Sequence, residues 1–428
     1  MCINLAAFTL GMFLFAFFQP SPASQDDVSS ASTSFEKLKS LLFQVKTSSG
    51  ATAEKSSYGT GFVVGRDGYL LTNYHVIAGA IWQPLTEKVF VVVNRENIPA
   101  QIIDVDVVHD LALIKTPLKF PKTVSLANLP PQPGATLHSL GLPEDLDWTV
   151  VTGVYNGLIK RGPYELVHLT TPLNPGMSGG PTVNTQAELV GINVSGLMFS
   201  QSISFAVPLR FAKPLIAKAQ TTTPPADLIQ SIHSQLRKVQ DELTTTMLTA
   251  LSSSKKIETW IIPNFANEFK CWVQKSPESE KRYVVTYEKC EIDHRTQLTP
   301  EISTAFLRIE TSIIQNNEYN FFSFFHFLNL EWARDEVDQL QIFSKNIKVN
   351  YGPYKCQRAR VPHQSPIQVE ICSRSLIPFT DLFEIHVKAI QRIGSKQALK
   401  SYLILDGLSQ SNFLLILDKY LKNFGELR

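Results

Sequence analysis

Leu173-Asn174-Pro175-Gly176-Met177-Ser178-Gly179-Gly180-Pro181 reads as a tight loop. A serine entered through Asn-Pro and left through Gly-Gly-Pro fits neither a helix nor a strand. Glycines let the chain take strained dihedrals and bring backbone close to a ligand. In such a loop the amides of Gly176 and Ser178 can point at one spot beside the Ser178 hydroxyl. That arrangement suits the charge that develops when a hydroxyl attacks a carbonyl. Taken alone, the loop fits a glycine-rich surface turn equally well.

A serine hydroxyl is a poor nucleophile until a base takes its proton, and that base needs a third group to hold its tautomer. Thr72-Asn73-Tyr74-His75-Val76-Ile77 offers a histidine at a strand end, just after the Arg66-Asp67-Gly68 hairpin turn. Val107-Val108-His109-Asp110-Leu111-Ala112-Leu113-Ile114 offers an aspartate ahead of an apolar strand, with His109 read as a solvated neighbour.

In the order His75, Asp110, Ser178 these stretches resemble a family. GTGFVV, DGYLLTNYHVI, HDLALIK, LNPGMSGGPTVN and ISFAVP are similar to the trypsin-like serine proteases of chymotrypsin fold, nearest to the HtrA/Deg branch. The resemblance covers residues 35–210. It implies two six-stranded antiparallel β-barrels with the site in the cleft between them. It further implies His75 as general base, Asp110 orienting it, Ser178 as nucleophile, and the Gly176 and Ser178 amides as oxyanion hole. Substrate is expected to pair with Val194-Ser195-Gly196. The primary pocket then lies between that segment, residues 172–177 and Ile203-Ser204-Phe205. Pro172 stands where enzymes that cut after Lys or Arg carry Asp, and Ile203 shortens the pocket, so cleavage is expected after small or medium aliphatic residues. The chain departs from the branch at Met177, where Asn is usual, and in lacking a PDZ-type carboxylate-binding loop after residue 219.

Short Val, Ile, Leu and Phe runs between Gly, Pro and Asp turns make residues 42–210 a mainly β text. An amphipathic helix is expected at 35–42 behind a Ser34 cap. Residues 220–225 (QTTTPP) break the pattern. Leu228, Ile232, Leu236, Val239, Leu243, Met247 and Leu251 then mark a long amphipathic helix. The expected division is a signal peptide at 1–23, a flexible terminus at 24–34 and a protease domain at 35–218. A linker and helix follow at 219–256, then an α+β C-terminal region at 257–428.

The 428 residues, 44% hydrophobic with a formal net charge of +2, leave no electrostatic footprint for nucleic acid. Apolar residues 3–18 followed by Ser21 and Ala23 have the length of a signal-peptide core, not of a span. The chain is therefore expected to be exported, periplasmic or extracellular, with no stable membrane span once the leader is removed. Protein or peptide substrates are the expected partners. No motif with metal-ligand spacing occurs, so no metal and no cofactor is expected.

After the leader four cysteines remain, Cys271, Cys290, Cys356 and Cys372, an even count that reads as two disulfides in an exported chain. The stretches 266–347 and 351–426 read as a duplication. Each has two strands with a cysteine near each end, a third strand, a fourth at 321–328 or 400–405, and a helix at 332–346 or 411–424. Equivalent cysteines then pair within their own copies, Cys271 with Cys290 and Cys356 with Cys372. Two other readings fit the same residues: a protease-like binding protein with a silent cleft, and a recognition module for which the protease is a processing device.

Overall fold

The computed structural model describes residues 25–49, 55–143, 147–161, 164–196, 203–219, 227–276, 282–292, 295–333 and 349–427. The expected signal peptide at 1–23 lies outside the described residues, as do residues 334–346 of the helix expected at 332–346.

Strands β1 (Leu42–Ser49), β2 (Lys55–Gly65), β3 (Tyr69–Thr72), β4 (Glu87–Val93), β5 (Glu96–Asp106) and β6 (Leu111–Lys115) close into a barrel in the order β1-β2-β3-β6-β5-β4. A second barrel repeats that order with β7 (Thr136–Gly141), β8 (Thr149–Arg161), β9 (Tyr164–Leu169), β10 (Pro181–Val183), β11 (Leu189–Gly196) and β12 (Ser204–Pro208). Every ladder in both is antiparallel. Closure leaves no open edge; inward residues of both barrels share one large core, among them Val45, Phe62, Leu71, Leu113, Leu140 and Ile192, and Leu137, Tyr155, Val167, Leu169 and Val190 form a smaller one in the second barrel. This is the chymotrypsin fold, as expected from the motifs.

Within the expected flexible terminus at 24–34, the described residues 25–34 are helical. Helix α1 runs from Gln25 to Leu38 and lies against β7 and β8, where the Ser30 hydroxyl meets His138 Nε2 at 3.0 Å. Ser34 is thus inside the helix rather than its cap, and β1 begins directly after a short 3-10 turn at Lys39–Leu41.

Helix α2 (Tyr74–Trp82) connects β3 to β4, and α3 (Leu209–Lys218) leaves the second barrel. Helix α4 (Leu228–Ala250) begins at Asp227, whose carboxylate accepts from the amides of Ile229 and Gln230. It joins two cores: Ile232 and Leu236 pack with the barrels, while Val239, Leu243 and Met247 pack with the C-terminal sheet. Its Gln235 is also hydrogen-bonded to the end of β5 and the turn after it, donating to the Val105 carbonyl and accepting from the Val107 amide.

Beyond α4 come β13 (Ser254–Ile257), β14 (Trp260–Pro263), β15 (Lys270–Lys275), β16 (Tyr283–Glu291), β17 (Thr296–Gln297), β18 (Ser303–Thr304) and β19 (Leu307–Asn316). Helix α5 (Phe321–Ala333), β20 (Asn350–Tyr351), β21 (Lys355–Val361), β22 (Ile367–Ile377), β23 (Phe383–Ile393), β24 (Gln397–Leu408), α6 (Gln410–Lys422) and β25 (Gly425–Glu426) complete the described chain. An eight-stranded antiparallel sheet runs β15-β16-β19-β24-β23-β22, with β20 and β21 both pairing with β22. Disulfides join Cys271 to Cys290 across β15 and β16, and Cys356 to Cys372 across β21 and β22.

The strand expected at 321–328 is helical. Asn320 caps it, its Oδ1 accepting from the Ser323 amide at 2.9 Å, and Phe324 and Leu328 bury one helical face four residues apart. The place of a fourth strand beside β19 is taken by β24, which pairs with it from Leu307↔Leu405 to Gln315↔Gln397.

Candidate active site

His75 stands in the first turn of α2 rather than at a strand end, and a set of hydrogen bonds to Asp110 fixes it there. The Asp110 carbonyl accepts from Asn73 Nδ2 at 2.7 Å and from the Tyr74 amide at 3.1 Å. Its Oδ1 accepts from the His75 amide at 2.8 Å, and its Oδ2 lies 2.6 Å from His75 Nδ1. A carboxylate only accepts, so Nδ1 carries the proton and Nε2 is left as the acceptor. Asp110 reaches this pose through a left-handed backbone (φ 55°), which Asp tolerates better than most residues. Burial works against an imidazolium at His75. The charge of Asp110 and its hydrogen bond outweigh that and hold His75 above the ordinary histidine range.

His109 is not a solvated neighbour. Its Nδ1 contacts Asp106 Oδ2 at 2.7 Å, and its ring stacks on Phe211 of α3 at 4.0 Å and meets Tyr164 edge-on at 4.7 Å. It packs the second barrel and α3 against the turn that holds Asp110.

The Ser178 loop needs two glycines in the left-handed region, Gly176 (φ 93°) and Gly179 (φ 82°). A Cβ on Gly179 would come within 2.3 Å of the Thr60 carbonyl. Thr60 of the first barrel holds the loop from two sides, its hydroxyl donating to the Gly176 carbonyl and its amide to the Ser178 carbonyl, both at 2.8 Å. Met177 is fully buried, and its amide is taken by the Asn174 carbonyl at 3.1 Å. Among the described residues nothing accepts from the amides of Gly176 and Ser178. The Ser178 hydroxyl donates to the Val194 carbonyl at 2.8 Å rather than to His75.

His75, Asp110 and Ser178 line one cleft of about 640 Å³. Ser57, Tyr74 and Ala78 line it from the first barrel, and Leu173, Pro175 and Val194 from the second. Of the residues expected to shape the specificity pocket, Val194 lies in that lining. Pro172 is exposed and Ile203 half-buried against the barrel core, both outside the lining. Pro172 and Ile203 are nonetheless tied together, because Ser204 Oγ donates to the Thr171 carbonyl at 2.5 Å and accepts from the Leu173 amide at 3.3 Å.

One wall of the cleft comes from a part of the chain no motif pointed to. Gln297, Leu298, Thr299 and Pro300, in the hairpin joining β17 to β18, complete the lining. Nor did sequence reasoning single out Thr60, Asn73 or Tyr74; the run TNYHVI held the last two, but as ordinary polar neighbours of a histidine.

Residues 59–192 match the trypsin-like peptidase domain family. A probable periplasmic serine endoprotease DegP-like of Hahella chejuensis is 31% identical over 180 residues, covering 40% of this chain and 37% of that one. The putative serine protease HhoB of Synechocystis is 29% identical over 164 residues, covering 36% of this chain and 38% of its own. Among solved structures, the serine endoprotease from Yersinia pestis is 26% identical with a TM-score of 0.38, covering 44% of this chain and 66% of that chain. The chain thus spans well under half the length of the curated relatives it matches. It carries a trypsin-like peptidase domain, related to the HtrA/DegP serine endoproteases at 31% identity over 40% of its residues.

Proposed function

We propose that the chain is an exported serine endopeptidase in which Ser178 is the nucleophile, His75 the general base and Asp110 its orienting partner. One observation carries the reading: Asp110 holds His75 Nδ1 at 2.6 Å in the same cleft as Ser178, where the Gly176 and Ser178 amides have no acceptor among the described residues. The Ser178 hydroxyl turns from the Val194 carbonyl to His75 Nε2, gives up its proton and attacks the substrate carbonyl. The amides of Gly176 and Ser178 receive the oxyanion; loss of one such donor costs about 10²–10³ in rate. His75 then returns the proton to the leaving amine, and water releases the acyl group by the same steps in reverse. A substrate strand laid along Val194–Gly196 competes for the Val194 carbonyl that holds the resting hydroxyl, so substrate binding itself favours the reactive rotamer.

Substrates are proteins or peptides, cut after small or medium aliphatic residues; this specificity rests on the resemblance at Pro172 and Ile203, which stand outside the cleft lining. Export is supported by the two disulfides and by the periplasmic naming of the relatives. The resting contact of Ser178 with Val194 is also what a silent, protease-like binding protein would show. Peptide hydrolysis by the parent and by Ser178→Ala separates the two: loss in the variant supports the enzyme, and equal rates exclude Ser178 as nucleophile.

A further inference from the structure

The hairpin at 296–304 belongs in sequence to the C-terminal region and in space to the catalytic cleft. Its short ladder pairs Thr296 with Thr304 and Gln297 with Ser303, and the Leu298 and Thr299 amides both donate to the Ile302 carbonyl. The tip is docked on α2. The Leu298 carbonyl accepts from the Tyr74 hydroxyl at 2.9 Å and from Trp82 Nε1 at 2.9 Å, and Trp82 Nε1 also lies 2.7 Å from the Tyr74 oxygen. The Leu298 side chain is fully buried in the barrel core.

The base of the hairpin is held from the other side. The Tyr351 hydroxyl lies 3.1 Å from the Ser303 carbonyl, and Thr304 Oγ1 lies 3.2 Å from the buried Asp406 of β24. Fastened at both ends, the segment is a fixed wall rather than a lid. Around it the C-terminal region is continuous with the barrels: Phe379 meets Trp82 edge-on at 6.1 Å, and Asp381 pairs with His233 and Arg237 of α4.

From this juxtaposition we infer that the segment Gln297–Pro300 is a substrate subsite, so that the C-terminal region sets specificity beside the scissile bond. The inference rests on the peptidase reading of the cleft and adds to it. Tyr74 immediately precedes His75 in the chain, so a wall bonded to Tyr74 stands next to the general base. An extended peptide whose scissile carbonyl sits at Ser178 must run past it. The chemistry of the wall states what it accepts. Gln297, Leu298, Thr299 and Pro300 carry no charge, and the small Ser57 and Ala78 line the same cleft. A subsite of that kind favours an uncharged side chain of modest size, because its own residues offer a charged one no ion-pair partner.

The test replaces Gln297, which is exposed and whose side chain makes one long contact, Nε2 to the Pro300 carbonyl at 3.4 Å. Full-length parent, Gln297→Lys, Gln297→Glu and the distant control Leu129→Lys are profiled on a peptide library varied on both sides of the cut. Each is also labelled with a small fluorophosphonate that reads Ser178 alone. Gln297→Lys should raise kcat/KM about tenfold for Asp or Glu at one flanking position, and Gln297→Glu should do the same for Lys or Arg. Leu129→Lys should keep both the parent labelling and the parent profile. Normal labelling with an unchanged profile in both Gln297 variants overturns the subsite. Failure of the parent itself to label overturns the peptidase reading on which the subsite rests. Labelling without cleavage of any library member also counts against the subsite.

Discussion

His75 and Asp110 are joined twice, through Nδ1 to Oδ2 at 2.6 Å and through the His75 amide to Oδ1 at 2.8 Å. The backbone contact sets where the carboxylate sits, and the side-chain contact sets the tautomer. The consequence appears in pH dependence. In the proposed mechanism His75 accepts the Ser178 proton only when neutral, and Asp110 holds its pKa above the ordinary 6.5. Activity is therefore low in acid and rises with pH through a midpoint above 6.5. In Asp110→Asn the anionic partner is gone, the midpoint falls, and kcat drops about 10⁴-fold as the tautomer is lost. A pH–rate profile whose midpoint is the same in parent and variant contradicts this account of Asp110.

Gly179→Ala should disable the loop. It introduces a Cβ 2.3 Å from the Thr60 carbonyl at a residue with φ 82°, whereas Gly134→Ala, at φ 93°, meets nothing within 4 Å. Both variants carry the left-handed strain of roughly 1 kcal/mol or more, and only Gly179→Ala adds a collision. Thermal unfolding should show the larger loss at Gly179, with hydrolysis lost there alone. Equal losses would mean the loop yields to the added methyl.

Tyr74→Phe removes the hydroxyl that donates to the Leu298 carbonyl and lies 2.7 Å from Trp82 Nε1. Burial pushes this phenol well above its usual range, so it stays a donor at every working pH. The variant should lose about 1–3 kcal/mol of stability, the cost of unmade buried hydrogen bonds. Faster amide exchange confined to residues 298–302 is the local signature. Unchanged exchange in that hairpin would mean that Trp82 and the contacts of Tyr351 and Asp406 at its base suffice to fasten it.

Cleavage should follow Val, Ala, Ile or Thr, with broad preference, since one methylene in an apolar pocket discriminates by only ~1–3 kcal/mol. Mapping of cut sites in a denatured proteome reads this directly. A strong preference for Arg or Lys ahead of the cut would contradict the roles given to Pro172 and Ile203.

The barrels were legible because short apolar runs and Gly or Asp turns recur along 58–207, and because three motifs sat in one order. Strands β1, β7 and β10 are not singled out by the sequence; β10, at three residues, Pro181–Val183, carries no period. The first half of α1 read as a free tail because its small polar residues, QDDVSSASTS, give no apolar stripe, yet the helix lies on β7 and β8. The run Phe321-Phe322-Ser323-Phe324-Phe325 has strand-like composition, but the Asn320 cap and burial at 324 and 328 make it helical. Least legible was the hairpin TQLTPEIST at 296–304, whose residues have no chemistry of their own. Its importance comes wholly from standing beside His75, 222 residues after it in the chain by subtraction of 75 from 297, which no local pattern encodes.

The account turns on Ser178 being activated by His75. Full-length protein treated with a fluorophosphonate, digested and mapped by mass spectrometry, tests that most directly. The adduct should fall on Ser178 and be lost in both Ser178→Ala and His75→Ala. An adduct elsewhere, or labelling of Ser178 that persists undiminished in His75→Ala, would contradict it.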